Sequence, residues 1–440
     1  MRRPLLLLCL VSPAAAQPFA IEVIDAATKK PVPVIRVETV SHVGDYTDNA
    51  GLIAFDEPGL MDQEVWFNVS GHGYEVKADG FGYRGVKLRP NSGGEATIEV
   101  TRLNLAERIQ RLTGAGRFVN AAKLGRPLPG KGPLLAAQVL GCDSVDTAIS
   151  KGKMFWLWGD TNRASYPLGN FSTTAAFSPL PGQPGCRPET PIDYDYFKAD
   201  DGFVKGVARF PGDGPTWLGG LVTLKDHEGN EHLCATYAKV KPSMEAYERG
   251  LCEFDFEKNE FRKVITFAQG ATLYPDGHAF RSEGKLYFGQ ATPQISLEDS
   301  YEAWKDIGTY QSVTCDIAFT DASTGKPVKA HNGSLSWNPW RKKWVSIFTD
   351  AGKLGQIRYA EAPTPTGPWR KSIVIADHEH YTFYNPLQHP EFASEGGRVI
   401  WFEGTLTMTF SGNPEPIPRH DYNQVLYRID LGDPRLEAGH

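Results

Sequence analysis

The stretch Gly141-Cys142-Asp143-Ser144-Val145-Asp146 is followed, after the apolar run Met154-Phe155-Trp156-Leu157-Trp158, by Gly159-Asp160-Thr161-Asn162-Arg163. If the apolar run is a strand returning antiparallel to one that begins near Asp143, the two acidic ends meet on one edge of a sheet. The expectation is a carboxylate pair, Asp143 with Asp160, with Asp146 as a weaker third.

Working outward, similar units recur. Five times a polar opening leads into a short strand, a turn and an aromatic-rich second strand: Asp143 to Asp160, Trp217 to Tyr237, His278 to Gln290, Asn332 to Asp350, and His389 to Glu403. The clearest copies read GHAFRSEGKLYFGQAT, NGSLSWNPWRKKWVSIFTDA and HPEFASEGGRVIWFEGT. A repeat of roughly 50 to 60 residues predicts a five-bladed β-propeller. Its innermost strands line a channel, so their polar openings converge at one end. The residues so gathered are Asp143, Asp160, Trp217, His278, Gln290, His331, Asn332, Asp350, His389, Glu391 and Glu403. Carboxylates, imidazoles and one large aromatic suit a sugar better than an apolar ligand or a phosphate.

Upstream, residues 17–103 alternate apolar and polar positions in about seven short runs, which predicts a β-sandwich. Residues 104–133 read as a helical connector and loop, with Asn104 as N-cap, Leu105, Ile109 and Leu112 on one face, and Gly114 as the stop. The propeller then occupies residues 134–435. The predicted fold class is all-β, an N-terminal β-sandwich followed by a five-bladed β-propeller. Residues 1–16, with Arg2-Arg3, the run Leu5 to Leu8, and Ala14-Ala15-Ala16, have the three-part form of a signal peptide cleaved near Ala16. A lipid anchor on Cys9 is the rival reading. The expected location is secreted or periplasmic, without a membrane span.

Composition supports these expectations. Aromatics at 11%, with 45 Gly and 32 Pro in 440 residues, fit short strands joined by tight turns. A formal charge of -6 without Lys/Arg clusters argues against a nucleic-acid partner. Five cysteines follow the leader, none at zinc-finger spacing, and Cys234 with Cys252 is the expected disulfide. No Gly-x-Ser-x-Gly elbow, His-Glu-x-x-His, phosphate loop or dinucleotide fingerprint is present. No cofactor is required by any motif; a structural calcium ion in the channel is compatible with the fold.

Two resemblances add to this. DAATKKPVPVIRVET, YTDNAGLIAF and HGYEVKADGFGYRGVKL resemble the carboxypeptidase regulatory-like domain, which implies a spacer or docking module. FWLWGDTNR, HNGSLSWNPWRKKWVSIFTDAG, RYAEAPTPTGPWRKSIVI and YNPLQHPEFASEGGRVIWFEGT resemble the five-bladed propeller glycosidases, particularly the endo-D-arabinanase group of glycoside hydrolase family 183 and more distantly family 43. The insertion at residues 179–213 departs from simple members. The resemblance implies glycoside hydrolysis, which needs two carboxyl groups flanking the bond. Asp143 is the expected base or nucleophile. The proton donor is Asp160, Glu391 or Glu403. Substrate contacts are expected from Arg163, Trp217, His278, Gln290, His331, Asn332, Asp350 and His389, with a polysaccharide or oligosaccharide as partner. The competing expectations are a non-catalytic carbohydrate-binding surface protein and a propeller scaffold for protein partners.

Overall fold

The computed structural model describes residues 17–130, 132–241 and 243–439. The proposed signal peptide and Cys9 lie outside the described residues. The chain is all-β, and among the described residues no helix is long and apolar enough to cross a membrane.

Residues 19–102 form two four-stranded sheets. One has the order Leu52–Phe55, Phe19–Asp25, Glu95–Arg102, Tyr74–Glu75; the other Gly44–Tyr46, Arg36–Thr39, Val65–Ser70, Gly85–Leu88. Both turn alternate apolar residues into one shared core, with Ile21, Val23 and Val100 from the first sheet and Val37, Phe67 and Val69 from the second.

Among the described residues the rest of the chain builds five four- or five-stranded sheets and a two-stranded one, Val139–Cys142 with Thr161–Arg163. Sheet one runs Val145–Ser150, Lys153–Trp158, Thr174–Ser178, Asp195–Tyr196. Sheet two runs Thr216–Lys225, Glu231–Val240, Ala246–Asp255, Glu260–Thr266. Sheet three runs His278–Ser282, Lys285–Gly289, Pro293–Glu298, Gln311–Ser312. Sheet four runs Ala330–Asn338, Lys343–Asp350, Lys353–Ala362, Trp369–Asp377, with Ile317–Asp321 added in parallel. Sheet five runs Thr382–Gln388, Val399–Thr407, Asn423–Asp430 and, from far upstream, Glu107–Arg111.

The second strand of sheet one shows why these sheets pack face to face. Lys153–Trp158 is buried at every position after the lysine, as a strand covered on both faces must be. Phe155 and Leu157 enter a core with Leu233, Tyr237 and Phe254 of sheet two. Met154, Trp156 and Trp158 enter another with Leu387, Trp401 and Leu426 of sheet five. Further cores join sheets two and three through Leu251 and Leu286, three and four through Phe280 and Trp344, and four and five through Ile347 and Phe402. The first strands contact one another in the same cyclic order, the fifth returning to the first.

Three sequence expectations are corrected. Residues 107–111 are a strand rather than a helix, pairing antiparallel with Asn423–Asp430; the short helix of this region is Val119–Lys123. The apolar spacing of Leu105, Ile109 and Leu112 imitates a helix because charged side chains occupy the buried strand positions, Arg108 and Arg111 among them. Arg108 is satisfied by the carbonyls of Pro33, Val34 and His72 in the N-terminal sheets. The expected disulfide is absent, and Cys234 and Cys252 are free. Cys252 lies opposite Ala235, one residue out of register with Cys234. The two thiols therefore enter cores on opposite faces of sheet two. Finally, the first strand of the fifth unit is Thr382–Gln388, so His389 stands beyond its far end rather than at its opening.

Phe155 is fully buried, with the rings of Phe177, Phe197, Phe254 and Phe261 around it. Phe155→Ala is expected to destabilise the chain by about 3–5 kcal/mol; chemical denaturation followed by tryptophan fluorescence measures it.

Candidate active site

The mouth is built on the hairpin of sheet one. Val145 pairs with Trp158, and the ladder continues past them: the Gly159 N–H donates to the Asp143 carbonyl at 2.8 Å, and the Asp143 N–H to the Asp160 carbonyl at 3.2 Å. The two acids therefore leave the same edge. A side chain at position 159 would place its Cβ 2.2 Å from Asp143 Oδ1, so the missing side chain of Gly159 makes the room that this carboxylate occupies.

Asp143 is half-buried and held by phenols. The Tyr384 hydroxyl donates to its Oδ2 at 2.7 Å, and Tyr422 supplies a second hydroxyl. Burial raises the Asp143 pKa, while the phenols and backbone donors oppose the rise. Asp160 is pushed up to about 6, first by burial and then by the charge of Asp143; the Trp217 indole N–H, 3.3 Å from Oδ1, opposes this. Both carboxyl groups are thus raised above the usual carboxylate range, Asp160 to about 6, so the pair can hold a proton near neutral pH, as acid–base chemistry needs.

Sheets four and five brace the arrangement. Asn332 donates to Asn385 Oδ1, and Asn385 Nδ2 donates to Ser144 Oγ at 2.6 Å. The Ser144 N–H donates to Thr405 Oγ1 at 3.0 Å, and Gln424 donates to the same hydroxyl and to the Cys142 carbonyl. Ser144, Asn385 and Tyr422 all hold φ between 46° and 58°. Left-handed backbone at residues other than glycine costs on the order of 1–3 kcal/mol each and gathers where function needs a fixed geometry.

The other expected residues divide. Asp160, Trp217 and Asn332 join Asp143, and Gln290 is half-buried beside Gly277 at the opening of sheet three. His278 turns to Asp146, Nδ1 to Oδ1 at 3.3 Å; Asp146 Oδ2 accepts the Leu221 N–H, so this pair ties sheets one, two and three. His331 is exposed. Arg163 is engaged by Asp201 at 3.4 Å and lies over the rings of Tyr166 and Phe203. Asp350 is corrected: its carboxylate accepts from Arg358 at 2.7 Å, a buried pair that also holds Asp321 within sheet four.

His389 and Glu403 are likewise corrected, and Glu391 is placed away from Asp143. His389 and the Glu403 side chain are fully buried, Nε2 lying 2.7 Å from Glu403 and Nδ1 2.9 Å from Glu391. Glu403 shares the strand face of Trp401, turned into the core against sheet one, where no substrate reaches it. Glu391 borders Ile149 and Met154 in a cavity at the end of the first strands remote from Asp143. Burial alone lowers the His389 pKa, but Glu391 and Glu403 outweigh it and raise it to about 10.

Tyr384, Tyr422, Asn385 and Asp276 were missed from sequence. Asp276 opens sheet three, its Oδ1 3.9 Å from where a Gly219 side chain would begin. The signal for Tyr384 and Asn385 lay in YNPLQHPEF itself, read one strand too late. Among the described residues no group of three or more His, Cys, Asp or Glu side chains is placed to hold a metal ion.

No family model matches the chain, and no curated protein does. Solved structures similar to it include a candidate hydrolase of Bacteroides ovatus ATCC 8483 at 13% identity and TM-score 0.45, covering 69% of this chain and 86% of that one. A candidate exo-β-1,3-galactanase of Bifidobacterium bifidum s17 aligns at 12% identity and TM-score 0.43, covering 70% of this chain and 92% of that one. The GH43_1 enzyme of Xanthomonas citri with xylose aligns at 8% identity and TM-score 0.38, covering 69% and 90%.

Two outcomes follow from the site electrostatics. Trp217→Phe removes the hydrogen bond that lowers the Asp160 pKa, so Asp160 is expected to titrate above its present value of about 6 in carbon-13 NMR of the aspartate carboxylates. The His389 pKa is raised from 6.5 to about 10, so its stabilisation is fully present below pH 6.5 and lost as pH rises through about 10. Glu403→Gln is expected to cost about 3–5 kcal/mol at neutral pH and to flatten that dependence, as read by denaturant midpoints at pH 6 and pH 10.

Proposed function

We propose that the chain is a secreted glycoside hydrolase, with its five sheets as the blades of a β-propeller and residues 17–103 as an accessory β-sandwich. The carrying observation is the coupled pair Asp143 and Asp160 at one mouth, Asp160 poised at about 6 partly by the charge of Asp143. Glycosidic cleavage uses two carboxyl groups: one protonates the leaving oxygen, the other attacks the sugar or activates water. Asp160 takes the first role. Asp143, supported by the Tyr384 and Tyr422 hydroxyls, takes the second.

Trp217 offers a ring beside the donor, and aromatic faces stack on the apolar faces of sugars. The buried His389 pair serves the fold, which leaves the acid role to the mouth. Resemblance to the endo-D-arabinanase group makes furanose-containing polysaccharides the first substrates to try.

The test is release of reducing sugar from a panel of arabinans, galactans and xylans. Wild type is expected to act on at least one. Asp143→Asn and Asp160→Asn are each expected to lose roughly 10²–10⁴-fold in kcat. The wild-type rate is expected to fall as pH rises through about 6, where Asp160 loses its proton. Activity that survives Asp143→Asn unchanged contradicts the assignment.

A further inference from the structure

A second cavity of about 530 Å³ lies where the N-terminal sheets meet sheet five, within the range of roughly 300–1,000 Å³ typical of ligand sites. One wall comes from the exposed side of the second N-terminal sheet, with Arg36, Glu38 and Tyr46; the other from residues 379–381 and 413–419. Two contacts hold the walls against each other. Arg419 of one wall pairs with Asp45 of the other, and the buried Arg108 of sheet five binds the carbonyls of Pro33, Val34 and His72.

The lining is polar and richer in carboxylates than in guanidinium groups. Arg36 pairs with Glu38 at 2.5 Å and Arg419 with Asp45, while Glu379 and Glu415 are exposed. Two engaged arginines against four carboxylates give no attraction for an anionic ligand. Tyr46 adds a half-buried ring, and polar groups around a ring suit hydroxyl-rich, uncharged ligands. His42, Glu379, His380 and Arg419 all hold φ between 38° and 67°, a concentration of left-handed backbone like that around Asp143.

The cavity adjoins the mouth through two separate segments. Tyr381 lines the cavity and Tyr384, three residues on, donates to Asp143. Arg419 lines it and Tyr422, again three residues on, also holds Asp143. Three residues span at most about 10 Å. From this juxtaposition we propose that the cavity binds a distal part of an uncharged polysaccharide whose scissile bond lies at Asp143 and Asp160, so that the N-terminal module forms part of the substrate path and the chain favours long polymers over short fragments. The proposal rests on the glycosidase reading for its reaction, and on the cavity for its binding.

The test compares wild type with His42→Ala/Glu415→Ala, two exposed cavity residues, after thermal unfolding shows both proteins folded. On whichever of arabinan, galactan or xylan the wild type cleaves, the double variant is expected to lose about tenfold more kcat/KM on the polymer than on its trisaccharide. Equal losses on both, or no loss on the polymer, overturn the proposal. If none of the three polymers is cleaved, the glycosidase reading fails separately, and the cavity is tested by native gels containing each polymer or polygalacturonate. Retardation by a neutral polymer that the double variant abolishes supports the cavity. No retardation, retardation unchanged in the variant, or retardation by polygalacturonate alone overturns it.

Discussion

The strand Glu107–Arg111 is the outermost strand of sheet five, yet it precedes sheet one in the chain. By pairing with Asn423–Asp430 it ties the start of the five-sheet array to its end, closing a loop of more than 300 residues. Loop-closure entropy grows slowly with length, and the closure is supported by burial on each side of every sheet. Without it, the faces of Trp156, Trp158 and Trp401 between sheets one and five would lose their cover.

That closure also creates the site. Asp143 stands at the edge of sheet one, but its phenol donors come from Tyr384 in sheet five and Tyr422 in the loop before that sheet's third strand, and the brace through Asn385 and Asn332 reaches sheet four. Burial raises the pKa of a carboxylate in so confined a place, and hydroxyl donors oppose the rise; the fold brings those donors from segments about 240 to 280 residues away. The same segments continue into the cavity beside the N-terminal module.

Much of this was legible in the residues. Five strand–turn–strand units could be read from aromatic-rich alternation, and the Asp143/Asp160 juxtaposition from the length of the run between them, because a hairpin returns both ends to one edge. What misled was local pattern under tertiary control. Arg108 and Arg111 occupy buried strand positions, so apolar spacing favoured a helix. HPEF resembled a strand opening, although Pro390 begins a short turn and the strand lies before it. That shift of one strand length points to the ion-paired group His389, Glu391 and Glu403 instead of Tyr384 and Asn385. Tyr422 was not legible at all: it lies in an irregular loop, and only the closed ring brings it to Asp143.

The most direct measurement is a crystal structure of the Asp143→Asn protein with an oligosaccharide drawn from a polymer that the wild type cleaves. Sugar rings are expected beside Asp143, with a glycosidic oxygen within hydrogen-bonding distance of Asp160 and a ring against Trp217. Sugar bound instead at the remote end of the channel, beside Glu391, would contradict it.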